Sequence, residues 1–208
     1  FNRIEYTYAL MARALGIDMD EVSFIEDQAT GLFHFLTRRF DRNGSRKIHM
    51  HSLAGMTHVD FNRPQAYSYK AWFRLILDLK LGMGAMQQAF RRMVFNIVGR
   101  NQDDHVKNIS FLMDDLSSGW RLAPAYDLTF AAGSGYTLRH QMTLAGLSDG
   151  FAREALVELG NKFDIPRPRE IIDETIEAFS RWPALARQWR VPEDQIAAVA
   201  SKHRFVGT

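Results

Sequence analysis

The chain has 208 residues, 46% of them hydrophobic, enough apolar material to bury roughly 70% of the surface that the unfolded chain exposes. Its 26 Lys and Arg stand against 24 Asp and Glu, a formal net charge of +2, which is too mild to mark a nucleic-acid binder. Cysteine is absent, so disulfides and thiolate metal sites are excluded, and no apolar run approaches the roughly 20 residues of a membrane helix. With no signal-peptide pattern at its start, the expected location is the cytoplasm.

Ile4, Tyr8, Met11 and Leu15 recur at helical spacing and Gly16 follows as a stop, which predicts an amphipathic helix over residues 3–15. Residues 22–26 and 32–40 are rich in β-branched and aromatic side chains around Gly31, the pattern of a hairpin. Residues 41–64 have little periodicity and are expected to form loops. Trp72, Ile76 and Leu79, then Met86, Phe90, Met93 and Ile97, mark two helices parted by Gly82 and Gly84. The second is apolar around much of its circumference, so it belongs inside a domain, and the polar run 100–108 must emerge from the end of a rigid element. Residues 109–113 and 120–123 form the arms of a second hairpin, with Asp127 just past it. From about Gly150, four prolines (166, 168, 183 and 192) punctuate three or four helices.

The chemistry concentrates in residues 99–108, Gly-Arg-Asn-Gln-Asp-Asp-His-Val-Lys-Asn, where Asp103 precedes Asn108 by five positions. Protein kinases use this spacing in their catalytic loop: the carboxylate meets the substrate hydroxyl while the Asn amide oxygen holds a metal ion on the nucleotide phosphates. A second metal-binding Asp normally follows a hairpin, and Asp127 stands in that place. The Asp/Asn pair alone is a weak signal; the order loop, hairpin, Asp strengthens it. Mg²⁺ prefers hard oxygen ligands and usually takes only one or two carboxylates, a demand met by one Asp and one Asn. Asp103 is then free to orient and deprotonate a serine or threonine hydroxyl. Its neighbour Asp104 is expected to face solvent or cap nearby backbone.

The fuller string from Asn101 through Asp103, His105 and Lys107 to Asn108, the following hairpin, Pro124-Ala125-Tyr126-Asp127, and Arg39-Phe40-Asp41-Arg42 closely resemble the HipA family of serine/threonine-protein kinase toxins. The resemblance runs from about Glu5 to about Phe205, nearly the whole chain. It implies an α/β, protein-kinase-like two-lobed fold, with residues 1–40 a remnant of the N-terminal lobe and hinge, and 41–208 the mainly helical catalytic lobe. It implies transfer of the γ-phosphate of ATP to a protein serine or threonine, with Asp103 as base and Asn108 and Asp127 as Mg²⁺ ligands. His105 and Lys107 would support the loop or the transferring phosphate, and Arg39 and Phe40 would lie at the hinge beside the adenine. A HipB-like helix-turn-helix antitoxin, which binds operator DNA, and an aminoacyl-tRNA synthetase substrate come with the family. Two family features have no counterpart in the sequence: the loop that covers the phosphates and the strand lysine that grips them. Because the chain opens on Phe1 inside a helical pattern, an upstream segment is expected to supply both, and the chain alone is expected to be inactive. Glu5 would match a family helix that packs on the lysine strand, and Gly82-Met83-Gly84 is read as a helix break.

Two rival readings stay open: a metal-dependent phosphoesterase built on Asp103, Asp104 and His105, and a non-catalytic module that engages an antitoxin. His49 and His51, with His58, offer a zinc set only if an ordered geometry joins them, and the simpler reading is a polar loop with scattered histidines.

Overall fold

A computed structural model describes residues 1–207, with eight α-helices and nine short strands in a mixed α/β arrangement. Among the described residues no helix is long and apolar enough to cross a membrane. Helix α1 (Asn2–Ala14) matches the predicted amphipathic helix, and Gly16, at φ +71, closes it in the left-handed conformation that glycine adopts without a Cβ penalty. Strands β1 (Val22–Glu26) and β2 (Phe33–Thr37) pair antiparallel as a hairpin, with Phe24 opposite Phe35.

Helix α1 is buried on two faces. Ile4, Tyr8 and Met11 enter the main core, while Tyr6 and Ala9 form a smaller cluster with Val22 and Phe33 of the hairpin. Trp189, from the far end of the sequence, packs edge-on against Tyr6 with ring centroids 4.7 Å apart. The boundary at residue 40 therefore does not coincide with a break in the core.

Residues 41–64 hold more regular structure than expected. Strands β3 (Arg42–Asn43) and β4 (Arg46–Lys47) make a tight pair, β5 (His49–Ser52) follows, and then a short helix, α2 (Leu53–Thr57). Strand β5 pairs antiparallel with β7 (Ser110–Met113), which pairs with β8 (Arg121–Leu122), giving a three-stranded sheet of order β5-β7-β8. The sequence His-Met-His-Ser shows no apolar alternation, so nothing local announces a strand; its partner lies about sixty residues away. His49 and His51 fall on one face of β5, both beside Trp120, with the His49 and Trp120 ring centroids 5.4 Å apart. His58 instead ends α2, and among the described residues no three His, Cys, Asp or Glu side chains are grouped to hold a metal.

Strand β6 (Tyr67–Ser68) runs parallel to β9 (Met142–Thr143), and helix α3 (Tyr69–Asp78) follows β6 directly. The central element is α4 (Gly82–Val98), whose Met86, Ala89, Phe90, Met93, Phe95 and Ile97 are all buried. Helices α5 (Arg153–Lys162), α6 (Pro168–Ser180), α7 (Trp182–Gln188) and α8 (Glu193–Ala200) complete the chain. Where α4 ends, a Cβ on Gly99 would lie 2.3 Å from Cζ of Phe179 in α6, so the close approach of the two helices requires glycine there. Arg100, at φ +57, then turns the backbone out of the helix.

Candidate active site

Three structural facts assemble the site. Helix α4 ends rigidly, the loop 100–108 leaves it, and the β7–β8 hairpin folds back so that Asp127 returns to that loop. Asn108 Nδ2 donates to Asp127 Oδ2 at 2.7 Å, across 19 positions of sequence, and also to the backbone carbonyl of Asp103 at 3.0 Å. Asp127 sits at φ +56, in the left-handed backbone region that, glycine apart, asparagine and aspartate tolerate best. Asn101, only 2% exposed, pins both ends of the arrangement. Its Nδ2 donates to Asn96 Oδ1 on α4 at 3.0 Å and to the carbonyl of Asp127 at 3.2 Å.

Asp103 stands next to the Asn108/Asp127 pair with a side chain 42% exposed, and its Oδ1 lies 3.7 Å from Nε2 of His105. His105 packs edge-on against Phe61, and the Lys107 ammonium rests 3.4 Å from the centroid of that same ring, a cation–π contact. Tyr126 enters the resemblance only as part of Pro124-Ala125-Tyr126-Asp127, with no role of its own. Its hydroxyl donates to the carbonyl of Lys107 at 2.6 Å and so accepts from Ser110 Oγ, also at 2.6 Å. Phe40 packs on the Tyr126 ring at 5.6 Å between centroids, which brings it to the edge of the site. Arg39, beside it in sequence, is paired with Asp41: its Nε and Nη2 donate to Asp41 at 2.9 and 2.8 Å, and Arg42 Nη1 joins the same carboxylate at 2.6 Å.

Asp104 departs from expectation. It is 3% exposed and accepts bonds from the Tyr69 hydroxyl, from the backbone N–H of Gln141 at 2.7 Å and from the fully buried His140 ring, whose Nδ1 lies at 2.9 Å. Its carboxylate does cap backbone, but it does so in the interior and not toward solvent. The expected alternation of the two adjacent side chains is correct; the chemistry of the inner one is not.

Electrostatically the carboxyl groups of the site oppose one another's ionisation. Although Asp127 is exposed as a residue, the protein around the cleft shields its carboxyl and raises its pKa; the charge of Asp103 raises it further, against the opposing bond from Asn108. Glu5, on α1, is raised first by burial and then by the charge of Asp127. Oxygen donors that resist ionising together are relieved by a hard divalent cation, and a carboxylate beside an amide oxygen suits Mg²⁺. Asn108 and Asp127 are the residues that fit such an ion.

The sequence model of the HipA-like C-terminal domain matches residues 1–182. The chain belongs to this family. A Haemophilus influenzae protein named "Putative kinase" is 28% identical over 185 residues, covering 83% of this chain and 53% of the relative. A Sinorhizobium fredii protein with a similar kinase name is 28% identical over 137 residues, which is 60% of this chain and 32% of that one. Among solved structures, a HipA chain from the Shewanella oneidensis complex of HipA, HipB and operator DNA superposes with a TM-score of 0.72. It covers 95% of this chain and 52% of that one at 19% identity, so it shows the HipA fold. The HipA-like chain described here thus spans about half the length of the Haemophilus relative and of the Shewanella chain.

Proposed function

We propose that this HipA-like chain carries the catalytic residues of an ATP-dependent kinase acting on serine or threonine of a protein, the toxin half of a toxin-antitoxin pair. The observation that carries the reading is the junction of Asn108 with Asp127, closed at 2.7 Å on the same loop that presents Asp103. Phosphoryl transfer asks a protein mainly for positioning and charge neutralisation, and that is the chemistry of this residue set. When bound by Asn108 and Asp127, Mg²⁺ would neutralise charge on the nucleotide phosphates.

The chain's own groups divide the remaining work. Asp103, partly open to solvent, orients an acceptor hydroxyl and accepts its proton. His105, with its Nε2 3.7 Å from that carboxylate, stands beside it at the mouth of the site. Lys107 is carried on Phe61 toward the transferring phosphate. Phe40, against Tyr126, offers an apolar wall suited to an adenine ring. Arg39, paired with Asp41, supports this hinge beside the adenine.

The kinase names of the relatives support phosphoryl transfer, and the presence of HipB and operator DNA in the Shewanella complex supports a HipB-like helix-turn-helix antitoxin as partner, with DNA contacted through it. An aminoacyl-tRNA synthetase is the substrate class proposed from the family resemblance, and the cytoplasm the proposed location. The test is transfer of labelled γ-phosphate by the full-length protein with and without Mg²⁺. Asp127→Ala and Asn108→Ala are each expected to lower transfer by about 10²-fold or more, with melting curves confirming that both variants fold. Undiminished transfer by either folded variant overturns the reading.

A further inference from the structure

Asp103 and His105 also border a cavity of about 280 Å³, whose other walls include Phe61, Tyr136, Thr137 and Gln141. Tyr136 and Gln141 are shared with a second cavity of about 400 Å³, lined further by Pro64, Gln65, Leu138 and Arg139. The two cavities thus adjoin at Tyr136 and Gln141, one bordered by the candidate base and the other by Leu138 and Arg139, and are treated together as one groove.

The groove is built, not incidental. Gln65 donates its backbone N–H to the carbonyl of Gln141 at 2.9 Å and its side-chain amide to the carbonyl of His140 at 3.1 Å, which ties one wall to the other. Gln141 in turn donates to Asp104 at 2.7 Å, so the groove is fastened to the residue adjoining Asp103. Its lip is apolar and cationic: Tyr136 and Leu138 are each 62% exposed, and Arg139 and the nearby Arg63 are exposed as well. Two bulky exposed apolar side chains flanking a cavity suit a ligand that brings its own apolar group.

We propose that this groove receives the acceptor polypeptide as an extended segment. Its hydroxyl residue lies at Asp103, an aliphatic or aromatic side chain fills the larger cavity against Tyr136 and Leu138, and an acidic side chain meets Arg139. The identity of the ligand as a phosphate acceptor rests on the kinase reading; the apolar and acidic preferences rest on the groove alone.

The experiment therefore reads binding and transfer separately, using the full-length protein, Mg²⁺, ATP and a positional library of fluorescent serine-centred peptides. Selection of one apolar and one acidic position is expected in both readouts. Arg139→Glu should reverse the acidic preference to a basic one. Leu138→Asp should raise the KM of apolar-bearing peptides by about tenfold while the KM for ATP stays put. Both positions are at the surface, and matching melting curves exclude misfolding as the cause. Binding with Arg139-dependent selection but no transfer would sustain the groove and remove the kinase reading. Peptide selection unchanged in both variants, or no peptide bound at all, overturns the groove.

Discussion

Asp103 and Asp104 adjoin in sequence yet differ in every physical respect. The five-residue spacing to Asn108 picks out Asp103, and that much is legible locally. Nothing local says that Asp104 is buried, because its partners Tyr69, His140 and Gln141 lie some 35 to 37 positions away in either direction. Asn101 and Tyr126 belong to the strings that carry the resemblance, but their roles were hidden for a similar reason: an asparagine or tyrosine in a polar loop gains a role only when the chain brings a bond partner to it. Asp104→Asn would place an amide N–H₂ among donors in the interior. It is expected to cost about 3 kcal/mol or more of stability, read by chemical denaturation. Asp103→Asn should leave stability near that of the parent and lower single-turnover transfer by about 10²-fold, with nucleotide affinity nearly intact. A stable Asp104 variant beside an unstable, fully active Asp103 variant would reverse both assignments.

At the scale of elements, α1 and α4 were readable because a 3.6-residue apolar period survives whatever the partner is, whereas β5 exists only because β7 lies beside it. The join between α1, the end of α4 and the C-terminal tail was equally invisible. Tyr8 donates its hydroxyl proton to the carbonyl of Gly99 at 2.8 Å, so His203 Nε2, also at 2.8 Å, must carry the hydrogen that it gives to the Tyr8 oxygen. The His203 ring is packed against Phe179 and Trp182, and burial lowers its pKa from 6.5 to about 4. The unfolded chain therefore takes up a proton at this histidine before the folded chain does. Its contribution is complete above pH about 6.5, falls as the pH drops toward 4 and changes no further below. Denaturation midpoints across this window should show a loss of about 2 to 3 kcal/mol relative to a His203→Gln variant. Parallel pH profiles for the two proteins would show that His203 is not the group responsible.

Across the whole molecule, the resemblance in residues 39–42 and 101–127 led to the right family, and the HipA fold follows from it. The sequence was less informative about how the parts share a core. A boundary at residue 40, just past the β1–β2 hairpin, is a natural reading of the sequence pattern, yet strands continue to Ser52, α1 serves the hairpin with Tyr6 and Ala9 and the main core with Tyr8 and Met11, and a helix committed to both couples their stability. The irregular stretch between Asp127 and α5 is the least legible part of the chain, having no apolar period and pairing mainly with distant segments such as β6 and Gln65, and its exposed turn at residues 133–136 is the place to expect early local opening. The bond from the Gln141 amide to a carboxylate in the interior has the opposite consequence in time. That proton can meet solvent only when its bond to Asp104 breaks, so in native-state hydrogen exchange the Gln141 amide should persist nearly as long as those in the middle of α4, while amides at Ser134 to Tyr136 are replaced early. Rapid exchange at Gln141 would mean that the interior opens at Asp104 without the rest of the molecule following.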